Sequence, residues 1–158
     1  MIGKKRKLGK AVTDLQVGDT HTERKKMEDK ELLLYLGLTD DANPLYIQHD
    51  YASQTPYEKP VVPAVMLFGM VSSLVSMDLP GPGSHITSYE MAFPHPVYHN
   101  EEVSITAEVI AVDVPEQQVA LKVSGTNEAG DEVIHGKLTV TPAQKPNSLT
   151  ANSLENFF

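Results

Sequence analysis

Apolar and polar positions divide the chain into three regimes. Residues 28–38, EDKELLLYLGL, carry leucines at 32, 33 and 36. That spacing predicts a helix with one apolar stripe, with Asp29 as its cap and Gly37 near its end. From Pro63 the chain runs AVMLFGMVSSLVSMDL, apolar on nearly every side for about four turns. It is too short to span a bilayer and too apolar for a surface helix, so it predicts a helix buried in its own domain. The turn sequence Leu79-Pro-Gly-Pro-Gly ends it.

Beyond it the period changes. Residues 85–98, 102–113, 117–127 and 131–141 show β-branched residues in partial alternation, separated by turn signals at Asn100-Glu101, Pro115-Glu116 and Ala129-Gly130-Asp131. A polar strand is expected within residues 13–24, after a bend at Gly18-Asp19. Helices followed by a meander of long strands predict an α+β domain, one antiparallel sheet wrapped around the buried helix. The expected organisation is a flexible basic tail over 1–12, the domain over 13–142 and a loose tail over 143–158. In that last tail Leu154, Phe157 and Phe158 are the apolar residues available to dock.

Composition narrows the function classes. The 158 residues, 41% hydrophobic, suit one domain with a real core. Thirteen basic against 21 acidic residues leave a net charge of −8, so a nucleic-acid partner is not expected. Lys4, Lys5, Arg6, Lys7 and Lys10 are followed by no apolar run, which argues against a secretory signal. No stretch has the roughly 20 apolar residues of a membrane span. The absence of cysteine removes disulfides, thiolate nucleophiles and cysteine zinc sites, and suits a reducing compartment such as the cytoplasm. No cofactor is called for. His85, His95 and His99 do not have the spacing of a zinc ligand set.

One ordered set of motifs carries chemistry. DANPLYIQHDYA (41–52) is followed by KPVV (59–62), the apolar helix, LPGPGS (79–84) and FPHPVYHNEEV (93–103). This set resembles the MaoC-like hydratases. Their pattern is Asp-x-Asn-Pro-Leu-His, then Pro-Ile-Val-His-Gly-Met opening the central helix, a Leu-Pro-Gly turn and a Phe-x-x-Pro-Val strand. The resemblance runs without an evident gap from Asp41 to Val103, and more loosely over 13–142. It implies a hot-dog fold, usually dimeric, holding a trans-2-enoyl thioester of CoA or acyl-carrier protein. In the family, Asp and His on the loop activate water, and N–H groups at the start of the central helix polarise the thioester carbonyl. Water addition needs a base for the water and a proton for the α-carbon, and it builds charge on the thioester oxygen.

Carried over, Asp41 is the candidate catalytic carboxylate, or else an Asx-turn residue at the Asn-Pro bend. Asn43 matches the motif asparagine and is expected to shape the loop beside the substrate. Tyr46 stands where the family has histidine. A phenol, with an ordinary pKa of about 10, is a poor base at neutral pH but can donate a hydrogen bond. His49, three residues on, is the alternative stand-in. Pro63 and Ala64 replace the family's His-Gly. Proline fits the start of a helix, and Ala64 keeps its N–H while adding a methyl group where glycine allowed close approach. Ser72 matches a polar helix position facing the site, or else bonds back to the preceding turn.

Three functions compete. An (R)-specific enoyl thioester hydratase or dehydratase rests on the retained Asp41 loop. A non-catalytic acyl-thioester-binding subunit or sensor follows from the lost His and Gly. A thioesterase on the same fold lacks a recognisable nucleophile or base of its own. An open sheet edge predicts a homodimer, or a heterodimer with a related hot-dog chain.

Overall fold

The computed structural model describes residues 7–145. Strand β1 (Thr20–Lys26) leads through Met27 into α1 (Asp29–Thr39). Two single-turn helices follow, α2 (Pro44–Ile47) and α3 (His49–Ala52). The long helix α4 (Ala64–Met77) comes next, and then β2 (His85–Ala92), β3 (Glu102–Asp113), β4 (Gln118–Thr126) and β5 (Glu132–Thr141). The strands form one antiparallel sheet in the order β1-β3-β4-β5-β2, so β1 and β2 are its two edges. This is the expected α+β architecture.

Alternation explains which sheet face is covered. Val103, Ile105, Ala107 and Val109 on β3, and Val119, Leu121 and Val123 on β4, all point to the core and are buried. Helix α4 answers with Leu67, Val71, Leu74 and Val75, spaced by four, three and one along one stripe. Fully burying such side chains contributes about 1.5–3 kcal/mol each. On β5 a register shift opposite Gly125 and Thr126 inserts Val133 as an extra residue, and Val133 and Ile134 are then buried side by side. Gly136 has no side chain to spare. A Cβ there would run into the Glu90 carbonyl and the Met91 sulfur of β2.

Three local expectations change. Helix α1 runs through Gly37 and stops at Asp40, which adopts the left-handed conformation at φ 54°. Its cap residue is Glu28, without a side-chain cap bond, rather than Asp29. Only Leu32 of its leucines is buried, while Leu33, Leu34 and Leu38 are exposed. Helix α4 is buried on one face only. Val65 is 62% exposed and Met77 47%, because the sheet curves around a single side of the helix.

The ordered fold also reaches past the expected boundaries. Gly9 and Lys10 donate their N–H groups to the carbonyls of Pro82 and Pro80 at 2.8 and 2.9 Å, and Val12 is buried. Ala143 is buried too, against Gly83. Residues 9–12 and 143 therefore pack against the domain. The basic residues 4–6 and the apolar Leu154, Phe157 and Phe158 lie outside the described residues.

Candidate functional site

The left-handed turn at Asp40 reverses the chain and brings Asp41 back over the end of α1. There the Tyr35 hydroxyl donates to Asp41 Oδ2 at 3.0 Å. The Asn43 N–H donates to Asp41 Oδ1 at 3.2 Å. Each carboxylate oxygen thus has one protein donor and spare acceptor capacity. Burial, followed by the hydrogen bond to Asp41, pushes the Tyr35 phenol above its ordinary value of 10.0, and Tyr46 lies close enough to add to the shift. The Tyr35 phenol is therefore held as a neutral donor.

Asn43 is the N-cap of α2. Its side-chain oxygen accepts the Leu45 N–H at 3.0 Å, and Pro44 occupies the first helical position. Tyr46 follows on α2, half-buried, with its N–H on the Asn43 carbonyl at 2.9 Å. His49 opens α3 and is exposed. Among the described residues, no hydrogen bond joins Tyr46 or His49 to Asp41.

The loop is tied to the start of α4. The Val61 N–H donates to the Leu45 carbonyl at 3.1 Å, and the Val62 N–H to the Val97 carbonyl at 2.7 Å. Tyr98 donates its hydroxyl to the Tyr57 carbonyl at 2.8 Å, and the Lys59 ammonium sits 4.5 Å from the Tyr98 ring centre. Burial, then the carboxylates of Glu58 and Glu101, raise the Tyr98 phenol above 10.0. Pro63 caps α4, and Ala64 is its first helical residue, half-buried. The N–H groups of Ala64 and Val65 fall in the first turn, where a helix offers no internal acceptor.

Two concavities flank α4. On the β1 side a groove of about 590 Å³ runs between α1 and α4. Leu34, Tyr35 and Leu38 form one wall and Met66, Met70 and Leu74 the other, with Glu23, Lys25 and Glu31 at its polar end. Asp41 does not line this groove, but Tyr35 both lines it and holds Asp41. On the β2 side a second concavity, about 540 Å³, is lined by Phe68, Ser72, Ser76, Ser84, His85 and Tyr89. Ser72 thus faces the opposite flank from Tyr35, and among the described residues it makes no hydrogen bond to the preceding turn.

The structure joins Asp41 with Asn43 directly and with the start of α4 through Leu45 and Val61. It leaves His49 outside and puts Ser72 on the far flank. Sequence reasoning missed Tyr35. Its only signal was a phenol standing among the leucines of LLLYLGL. The three histidines singled out do not converge: His95 pairs with the Glu132 carbonyl at 2.9 Å and His99 with Asp29 at 3.2 Å, while His85 opens β2. A different set, His21, Glu23 and Asp78, brings three possible ligand atoms within 4.8 Å of one another. These side chains are largely exposed, and two ion-pair contacts from His21 account for the grouping.

Comparison with known proteins agrees with this fold. A family model described as "MaoC like domain" matches residues 11–140. The (R)-specific enoyl-CoA hydratase of Aeromonas caviae is 32% identical over 98 residues, covering 62% of this chain and 73% of that protein. The (R)-specific enoyl-CoA hydratase of Rhodospirillum rubrum is 28% identical over 127 residues, covering 80% of this chain and 88% of that protein. Among solved structures, the A. caviae (R)-hydratase involved in PHA biosynthesis superposes with a TM-score of 0.78 at 27% identity, over 81% of this chain and 97% of that one. No helix among the described residues is long and apolar enough to cross a membrane.

Proposed function

The chain belongs to the MaoC-like domain family, and from that premise we propose that it is an (R)-specific enoyl thioester hydratase or dehydratase. The observation that carries the reading is Asp41, a carboxylate oriented from both sides by Tyr35 and Asn43 on a loop anchored to the start of α4.

In the hydration direction Asp41 takes a proton from water, and the water oxygen bonds to Cβ. The π electrons of the Cα–Cβ bond move toward the thioester, building charge on its oxygen. The Ala64 and Val65 N–H groups are the donors for that charge. The proton now on Asp41 returns to Cα, directly or with the Tyr46 phenol as relay. Tyr46, half-buried on α2, takes this role ahead of His49, which is exposed at the start of α3. Asn43 holds the loop that carries Asp41. Dehydration is the same sequence reversed.

The active unit in this reading is a dimer, of two copies or with a related hot-dog chain. Tyr89 of edge strand β2 is 56% exposed, with its ring 4.2 Å from that of Phe68 on α4, and this flank is open beside the outer edge of a strand that pairs only with β5 among the described residues. The substrate is a CoA or acyl-carrier-protein thioester, and the location is cytoplasmic. The test is hydration of crotonyl-CoA, followed by loss of its conjugated absorbance. Asp41→Asn is expected to lower kcat by roughly 10²–10⁴-fold with the fold intact. Full activity in the Asp41→Asn variant would overturn the assignment.

A second reading is favoured by one observation: no imidazole hydrogen-bonds to Asp41 among the described residues, and Tyr46 and Pro63-Ala64 stand in the family's His and His-Gly positions. On that reading the chain binds the thioester and leaves the chemistry to a partner chain. Tight binding of butyryl-CoA with no hydration by the isolated protein would favour it.

A further inference from the structure

We infer that Tyr35 is a positioning residue, which fixes the Asp41 carboxylate through its hydroxyl while its ring forms part of the wall on which the acyl chain lies. This rests on the thioester reading above and extends it to a residue and a groove outside the loop motif.

Three observations meet at Tyr35. Its hydroxyl is 3.0 Å from Asp41 Oδ2, which leaves Asp41 gripped from α1 as well as from its own loop. Its ring lines the groove between α1 and α4 beside Leu34, Leu38, Met66 and Met70, while Glu23, Lys25, Glu31 and Asp78 supply the groove's charged lining. Methionine and leucine offer an adaptable, donor-free surface that suits a flexible alkyl chain and repels the diphosphate end of CoA. The groove is open to one side of the helix start, where Val65 lines it next to Ala64. A thioester with its carbonyl at Ala64 can therefore run its tail past Tyr35.

The two functions of Tyr35 are coupled by one rigid ring. The hydroxyl oxygen moves with the ring, so a ring held in the groove keeps the donor within reach of Asp41. An acyl chain packed against that ring holds it in place, and so holds the carboxylate at the orientation needed for water. The charged and titratable groups facing this site from the packed elements are Glu31 on α1, Tyr46 on α2, Glu23 and Lys25 on β1, and Asp78 after α4. Among the described residues, only Tyr35 and the Asn43 amide donate to Asp41.

The test compares Tyr35→Phe, which keeps the ring, with Tyr35→Ala, which removes it. With crotonyl-CoA, Tyr35→Phe is expected to lower kcat roughly ten- to a hundredfold, as for other partners that orient a reacting group, while KM stays close to wild type. Tyr35→Ala is expected to add a rise in KM that grows from crotonyl- to hexenoyl-CoA. Wild-type kinetics in Tyr35→Phe would overturn the inference. A readout independent of turnover is the Tyr35 ring signal in ¹³C-tyrosine NMR, assigned with Tyr35→Phe. In Asp41→Asn the phenol should titrate at lower pH than in wild type, and an identical titration overturns the inference. If wild type proves inactive, the hydratase reading falls while the NMR comparison still decides the Tyr35–Asp41 pairing.

Discussion

The two flanks of α4 are built from the same helix and differ in what covers them. On the β1 flank α1 runs beside the helix and leaves a groove, and Tyr35 in its wall holds the Asp41 carboxylate. On the β2 flank nothing in the described chain crosses over. Ser72, Ser76 and Phe68 look out beside the edge strand that carries Tyr89. The difference teaches how this fold divides labour. The flank bordered by α1 carries the polar chemistry, because an oriented donor–acceptor pair needs a fixed frame. The open flank carries a small-residue and aromatic surface, which suits a second chain.

The comparison presumes a rigid helix shared by both flanks, and the largest expected effect tests that rigidity. Leu74 is 1% exposed, packs into the core and also reaches the β1 groove. Leu74→Ala is expected to lower unfolding free energy by about 2–5 kcal/mol, through lost apolar contact and the cavity left behind. Ser73→Ala, one position away on the exposed face, should stay within about 0.5 kcal/mol of wild type. Urea unfolding at pH 7 measures both. Similar losses for the two variants would show that α4 has no distinct inner face.

The next effect sharpens the contrast between flanks. Tyr89→Lys puts a charge on the open side, and Leu34→Lys puts one on the closed side. Both positions are exposed in the single chain. If β2 pairs with a second chain, Tyr89→Lys should weaken the dimer by about 2 kcal/mol or more, close to thirtyfold in dissociation constant. Leu34→Lys should leave the dimer intact. Light scattering across a dilution series reads both, and equal behaviour would remove the assigned difference between the flanks.

Much of the frame was legible, for a physical reason. β3 and β4 alternate because one sheet face is solvated, and period two survives in Val103, Ile105, Ala107 and Val109. The central helix was legible as buried, yet not on which faces. An all-apolar helix has the same composition whether its own sheet or another chain covers it. Val133 and Ile134 break the alternation because of a bulge, whose position depends on the pairing of Gly125 and Thr126 across the sheet. At the site, Asp41 and Asn43 stood out through a contiguous motif. Tyr35 did not, because its partnership with Asp41 exists only once Asp40 turns the chain back at positive φ. A residue six positions away on a helix has no sequence-level link to a loop carboxylate.

The smallest expected effect concerns the anchoring of the closed flank, and its sign follows from the two raised phenols. Tyr35 and Tyr98 both titrate above 10.0 in the folded chain, first because burial disfavours the phenolate and then because carboxylates stand near, Asp41 beside Tyr35 and Glu58 and Glu101 beside Tyr98. The unfolded phenol titrates at about 10. The folded state therefore binds these protons more tightly, and the stability they contribute is fully present below about pH 10 and is lost as pH rises through each folded-state value. Both side chains are partly exposed, so the loss is damped by solvent. Tyr98→Phe removes the hydrogen bond to the Tyr57 carbonyl and should cost about 0.5–1.5 kcal/mol at pH 7. It should also flatten the fall in urea midpoint between about pH 9 and 11 relative to wild type. Tyr35→Phe should flatten it as well, by removing the other raised phenol. If both variants fall as steeply as wild type, these phenols are free to ionise in the folded chain, and the loop is not anchored through them.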